Sequence, residues 1–380
     1  MGCKSIKCLG EQERKKKPIY YIHKLIGFRS NEILKDLNAT LQCLCHIEPL
    51  VSYIKNFDKI KTINSYNSYN KKGECLTDSL KLLIDDIYSE SNKQNEVKII
   101  KTIDTFNVSD MILKIQNYDA ANDFLINIIL LRLHKELNKA EKETMQDNKI
   151  IDRNNKEVVL SAYTNNFSKN YMSKISDFFF GVYYNFIVCN NCGNNTYIPK
   201  FFTSFIFNLE EIRKFKYDTC IKNLNLLYNN NNIQNFEIIN INDCLYYDRL
   251  GKPLPPNINS VCQKCGIITE LNFQTFIYFF PKILIFIFNK ENLNFNVRFN
   301  IEKQININFF SDVKENQIYD LIGMIFNPEE NKFIAICKSY LDKCWYLYDD
   351  ANCKFINNLQ SEYEKYDNPY ILIYKIDGKK

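Results

Sequence analysis

The chain has 380 residues, 46% hydrophobic and 14% aromatic, enough apolar mass to bury a large core and too much for a disordered polymer. Its 49 basic and 44 acidic residues leave a formal net charge of +5, interleaved in sign beyond the N-terminal run, which excludes the broad basic footprint of a nucleic-acid-binding surface. Fourteen cysteines without a secretory leader point to a reducing compartment, the cytoplasm with the nucleus also open, and no apolar run reaches the length of a membrane span.

In chain order, residues 1–24 read as a tail. MGCKSIKCLGEQERKKKP offers Gly2 for myristate, Cys3 and Cys8 for palmitate, and Arg14 to Lys17 for attraction to an anionic membrane surface. One acyl chain holds weakly, so peripheral membrane contact needs the second signal. Ile6 stands where the usual acceptor pattern has Ser or Thr, which leaves an inert polar tail as the other reading. Next comes GFRSNEILKDLNATLQCLCHIEPL from Gly27. YDAANDFLINIILLRLHKELN, from Tyr118 to Asn138, carries apolar residues near helical spacing. The polar stretches after Thr62 and after Leu137 read as surface insertions.

Two CxxC knuckles follow, Cys189-Asn-Asn-Cys192 and Cys262-Gln-Lys-Cys265, each with a glycine directly after it. Four thiolates at this spacing suit a tetrahedral Zn²⁺ with no position left for water, so the expected site is structural. The 69 residues between the knuckles demand long strands to bring them together. Cys43, Cys45, Cys75, Cys220, Cys244, Cys337, Cys344 and Cys353 read as small buried apolar residues. FIYFFPKILIFIF, broken by Pro281, reads as adjoining core strands.

Taken together, these segments resemble the ubiquitin-specific proteases. The stretch from Gly27 resembles, without a gap, the family's first catalytic box, with Gly27, Asn38, Leu41, Gln42, Leu44, Pro49 and Leu50 at the family's spacings. In that register Lys35 falls on the family's nucleophilic cysteine, and Ser30 on its oxyanion-stabilising asparagine. The second box resembles IYDLIGMIFNPEENKFIAICKSYLDKCWYLYDDANCKFI, where Lys332 falls on the general-base histidine and Asp349, with Asp350 beside it, keeps the third triad position. The only histidines are His23, His46 and His134, none in the C-terminal half that must supply the base. Asp119 and Asp123 fall among the acids that receive the arginines of the ubiquitin tail.

The resemblance implies an α+β, papain-like cysteine protease fold with thumb, palm and zinc-ribbon fingers over residues 25–376. The thumb would run to about 165, the fingers from 166 to 274, and the palm from 275. It also implies a catalytically degenerate member that binds ubiquitin or a ubiquitin-like protein, or scaffolds a protein complex. Two alternatives differ in class. One is an atypical but active deubiquitinase, for instance a Ser30–Lys35 dyad, which needs a desolvated lysine. The other is an interaction module that no longer binds ubiquitin. The bland reading of the two lysines is an ion-pair cluster with Asp349 and Asp350.

Overall fold

The computed structural model describes residues 26–30, 35–57, 75–88, 101–103, 105–113, 124–140, 153–224, 238–250, 262, 264–267, 271–289, 297–311 and 317–378, with backbone alone at 101–103, 220–224 and 271–272. Strand β1 (Ile26–Phe28) pairs in parallel with β2 (Lys101–Ile103). Helix α1 (Leu37–Cys45) is buried along its whole length, polar Asn38, Thr40 and Gln42 included. A polar side chain in such a helix needs a partner, because an unmet hydrogen-bonding group is costly out of water.

Helix α2 (Glu48–Lys55) carries Pro49 in its first turn, where the missing N–H would have had no intrahelical acceptor. Helix α3 (Leu76–Ile87) has no side-chain cap from its own first residues. After α4 (Phe106–Leu113), helix α5 (Leu125–Leu137) supplies that cap instead. Buried Glu136 accepts from Leu76 N at 2.9 Å, Thr77 N at 2.8 Å and Cys75 Sγ at 3.1 Å, and from Arg132 Nε at 2.7 Å. A carboxylate there meets the positive end of the α3 dipole. The apolar face of α5 is Leu125, Ile126, Ile129, Leu130, Leu133 and Leu137, while Ile128 and Leu131 lie half-buried beside it. Helix α6 (Lys156–Asn170) is capped by Asn155, and α7 (Lys174–Phe179) by a Ser173–Ser176 capping box.

Strands β3 (Gly181–Cys189) and β4 (Asn195–Phe202) then form two thirds of a small antiparallel sheet. The chain continues through β5 (Phe205–Asn208), α8 (Leu209–Leu224), β6 (Ile238–Ile239), α9 (Ile241–Leu250) and β7 (Leu271–Phe279), which completes that sheet in the order β4-β3-β7. The remainder is β8 (Ile283–Asn289), β9 (Arg298–Phe299), β10 (Gln304–Asn306), β11 (Ile318–Glu329), β12 (Lys332–Lys338), β13 (Trp345–Asp349), β14 (Asn352–Ile356), α10 (Leu359–Tyr363) and β15 (Pro369–Ile376). The large sheet runs β14-β13-β12-β11-β15-β8-β5, with β10 also on β11, and β5 joins β8 in parallel.

The large sheet is covered on both faces, which explains the unbroken apolar run of β8. Its Ile283, Ile285 and Ile287 pack with helices α1 to α7, while Leu284, Phe286 and Phe288 pack on the opposite face with β5, α8 and α9. The period of two within a single-class run is what a doubly buried strand requires. Five of the cysteines read as core, Cys43, Cys45, Cys75, Cys244 and Cys337, are buried. Cys344 and Cys353 correct that reading. They are half-exposed, Cys344 because it lies in the turn before β13 and Cys353 because β14 is a sheet edge. The Cys220 side chain lies outside the described residues. Among the described residues no helix is long and apolar enough to cross a membrane.

Candidate functional site

The start of α1 is fixed to the turn between β13 and β14. Phe28 N donates to the Asp350 carbonyl at 2.9 Å. A Cβ on Gly27 would lie 2.5 Å from the Ala351 carbonyl oxygen, so only glycine permits β1 to approach this closely. Asn38 uses both ends of its amide. Its Nδ2 donates to Asp350 Oδ1 at 2.7 Å and to the Arg29 carbonyl at 2.9 Å, and its Oδ1 accepts from Thr105 Oγ1 at 3.1 Å. Buried Gln42 donates to the Ile26 carbonyl at 2.8 Å. Asp350 holds the left-handed backbone conformation, φ 48°, which a short polar side chain tolerates.

Lys35 stands exposed directly before this helix, and Asp36 occupies its N-cap position without a side-chain cap bond. Burial raises the Asp36 carboxyl to about 6. Lys332 opens β12 and Asp349 closes β13, and the structure brings the two together, Nζ to Oδ2 at 3.7 Å, with both side chains partly exposed. That separation exceeds a charge-assisted hydrogen bond of ~2.8 Å, so the pair is a loose ion pair. Half of the ion-pair cluster read from the sequence is therefore present. Asp350 is held by Asn38 instead of a lysine, and Lys35 makes no ion pair among the described residues. Ser30 is exposed, and among the described residues no hydrogen bond joins it to Lys35.

The described histidines serve packing. His46 Nδ1 lies 2.7 Å from the Gln42 carbonyl and must donate to it, which leaves Nε2 to accept from Tyr348 OH at 2.9 Å. Burial lowers its pKa to about 4, against the Gln42 bond and the Asp342 carboxylate, which favour the cation. His134 bonds Ser173 Oγ at 2.7 Å, stacks on Tyr171, and is likewise lowered by burial to about 4. Neither histidine is bonded to Lys332 or Asp349. Cys43 cannot serve as a surface thiol: it is buried, with Sγ 3.5 Å from Cys337 Sγ.

The four knuckle cysteines converge, with all four sulfurs within 4.8 Å of one another. Cys189 and Cys265 are 3.9 Å apart and Cys192 and Cys262 3.6 Å. Tetrahedral thiolates at the usual Zn–S distance of ~2.3 Å are ~3.8 Å apart, so the residues fit a Zn²⁺ ion. The two knuckles repeat the same backbone bonds. Gly193 N donates to the Cys189 carbonyl and Gly266 N to that of Cys262, at 2.9 and 2.8 Å. Both glycines have φ near +66°, which accounts for a glycine after each pair (65° and 67°). Strands β3 and β7 carry the first knuckle and the end of the second toward each other.

Asp119, Asp123, Gly2, Cys3 and Cys8 lie outside the described residues. Sequence reading also missed two connections. Asn38 was visible only as a matched position, not as the bridge to Asp350. Glu136 could have been suspected from an acid on the buried face of α5, four residues after Arg132.

The sequence model of the ubiquitin carboxyl-terminal hydrolase family matches residues 37–374, beginning just after Lys35 and enclosing both knuckles and the Lys332–Asp349 pair. The chain is also similar to the solved yeast SAGA DUB module with a mutant Sgf73, at TM-score 0.60 and 17% identity, covering 94% of this chain and 69% of that one. A second similar structure, a SAGA DUB module of Ubp8, Sgf11, Sus1 and Sgf73 bound to monoubiquitin, gives TM-score 0.59 and 16% identity, over 94% and 70% of the two chains. With its α+β architecture and converging knuckles, this chain belongs to the ubiquitin carboxyl-terminal hydrolase family and has the ubiquitin-specific protease fold.

Proposed function

We propose that this chain is a ubiquitin-specific protease fold used for binding ubiquitin or a ubiquitin-like protein, with hydrolysis lost. The observation that carries the reading is the Lys332–Asp349 pair, in which an ammonium occupies the place that the family register gives to the base. With lysine also at position 35, nucleophile and base are both replaced. Losing one member of a cooperative triad removes on the order of 10⁴ to 10⁶ in turnover, and losing the second adds little. The thumb, fingers and palm would divide near residues 165 and 274.

The fold itself supports the binding half of the proposal. Its anchors at Gly27, Asn38 and Gln42 are all engaged, so the loss of catalytic groups has not come with a loss of architecture. The monoubiquitin-bound SAGA module supports ubiquitin as the partner class, and its companions support membership of a protein complex. Cys189, Cys192, Cys262 and Cys265 would hold a structural Zn²⁺ that ties β3 to β7. A chain carrying Cys262→Ser should lose one equivalent of bound zinc, read by metal analysis.

Hydrolysis is tested with ubiquitin joined through its C-terminal carbonyl to a fluorogenic amine. The native chain should release no more fluorophore than buffer. Turnover that disappears in Lys35→Ala would overturn the proposal in favour of the Ser30–Lys35 dyad. Such a dyad needs a desolvated amine, whereas Lys35 is exposed.

A further inference from the structure

We infer that Lys35 and Lys332 together recognise a carboxylate, so that the chain selects a ubiquitin-like tail with a free C-terminus over the same tail joined through an amide. The inference rests on the binding function proposed above and adds the chemical state of the ligand's end.

Both lysines belong to elements that meet at one dipeptide. Asn38, in the first turn of α1, bonds the Asp350 carboxylate at 2.7 Å, and Lys332 faces the adjacent Asp349 at 3.7 Å. The neighbouring carboxylates do not fill the donors of either lysine. Asp350 Oδ1 takes the Asn38 amide, and Asp349 stands too far from Lys332 for a hydrogen bond. Asp36 is half-buried and makes no ion pair with Lys35. Lys35, exposed, has no acceptor among the described residues. Lys332, only loosely paired with Asp349, and Lys35, exposed just before α1, thus offer unfilled donors on the two elements that the Asn38–Asp350 bond joins.

The end of an incoming tail distinguishes sharply between its two chemical forms. A carboxylate accepts charge-assisted hydrogen bonds and can replace Asp349 as the partner of Lys332 while also engaging Lys35. An amide carbonyl offers a single neutral acceptor and presents an N–H toward cations. Both forms accept from an ammonium, but only the carboxylate adds a full opposite charge, and at two exposed lysines that coulombic gain corresponds to about a tenfold difference in affinity. No bond is made or broken in this recognition.

The test is calorimetric titration of the full, zinc-loaded chain with ubiquitin ending in its free carboxylate and with ubiquitin ending in a carboxamide of the same length. The free form should bind about tenfold more tightly, with the ratio shrinking as salt is raised. The Lys35→Ala, Lys332→Ala double variant should hold both forms equally, and both side chains are exposed enough that the fold should survive, as circular dichroism would verify. Equal affinity for the two forms in the native chain would overturn the inference and leave the binding function standing. A preference that persists in the double variant would also overturn it. Binding of neither form by the folded chain would overturn both proposals.

Discussion

The two sides of the β13–β14 turn treat their polar residues in opposite ways. On the α1 side, Gly27 lies against the Ala351 backbone with no room for a Cβ, Asn38 is held by Asp350, Arg29 and Thr105, and Gln42 bonds the Ile26 carbonyl. On the strand side, Lys332 and Asp349 are partly exposed and 3.7 Å apart, and Lys35, just before α1, is likewise exposed. The difference separates two kinds of residue within one motif. Some hold the helix in place and are constrained by packing, while others would carry chemistry and are constrained only by a reaction. On the proposed reading, in which hydrolysis is lost, only the second kind is free to change, and a lysine can stand there without disturbing the first.

The sharpest way to break this comparison is Gly27→Ala, which drives a methyl into the Ala351 backbone at 2.5 Å. Neither backbone can yield without displacing β1, so a loss of roughly 3 kcal/mol is expected in urea denaturation. A change near zero would mean that the β1 contact is not tight.

Asn38→Ala should follow, at about 2 kcal/mol, since it strips a hydrogen bond from the Asp350 carboxylate and from Thr105 in a buried setting. The same chemical denaturation reads it.

Acid should weaken the α1 side through His46. His46 titrates at about 4 when folded and near 6.5 when unfolded, so the unfolded chain takes up the proton first. The stability that depends on neutral His46 is complete above about 6.5 and is lost as pH falls toward 4, by on the order of 3 kcal/mol. His134 acts in the same direction. Asp36 opposes both, because its folded carboxyl, raised to about 6, protonates before the unfolded one and adds stability as pH falls from about 6 to 4. Denaturation midpoints across pH 4–7 should therefore fall more steeply in Asp36→Asn than in the native chain. They should fall less steeply in His46→Gln.

Smallest of all should be Lys332→Ala, within about 0.5 kcal/mol, as for other exposed ion pairs. A loss of 2 kcal/mol there would place Lys332 among the structural residues and erase the contrast.

What the sequence disclosed was governed by short-range pattern. The knuckles were legible because Cys-x-x-Cys-Gly is a local turn whose geometry needs that glycine. Strand β8 was legible because a strand covered on both faces must be apolar at every position. The bridge from Asn38 to Asp350 spans 312 residues and leaves no local trace. The cap that Glu136 gives α3 arises from another helix, so no Ser or Asp before Leu76 marks where α3 starts. Strand β5 reaches the large sheet through parallel pairing with β8, 81 residues later at Phe205↔Phe286, a contact that no hydrophobic period encodes. Exposure of Cys344 and Cys353 likewise depends on which strand lies at the edge, a property of the assembled sheet.

The central claim, that the fold is kept for binding, is tested most directly by titrating isotope-labelled ubiquitin with the zinc-loaded chain and following its amide resonances. Saturable shifts confined to one face and the tail of ubiquitin are the expected result. Unchanged resonances in the presence of a folded, zinc-replete chain would contradict it, and would leave a scaffold whose surface no longer reads ubiquitin.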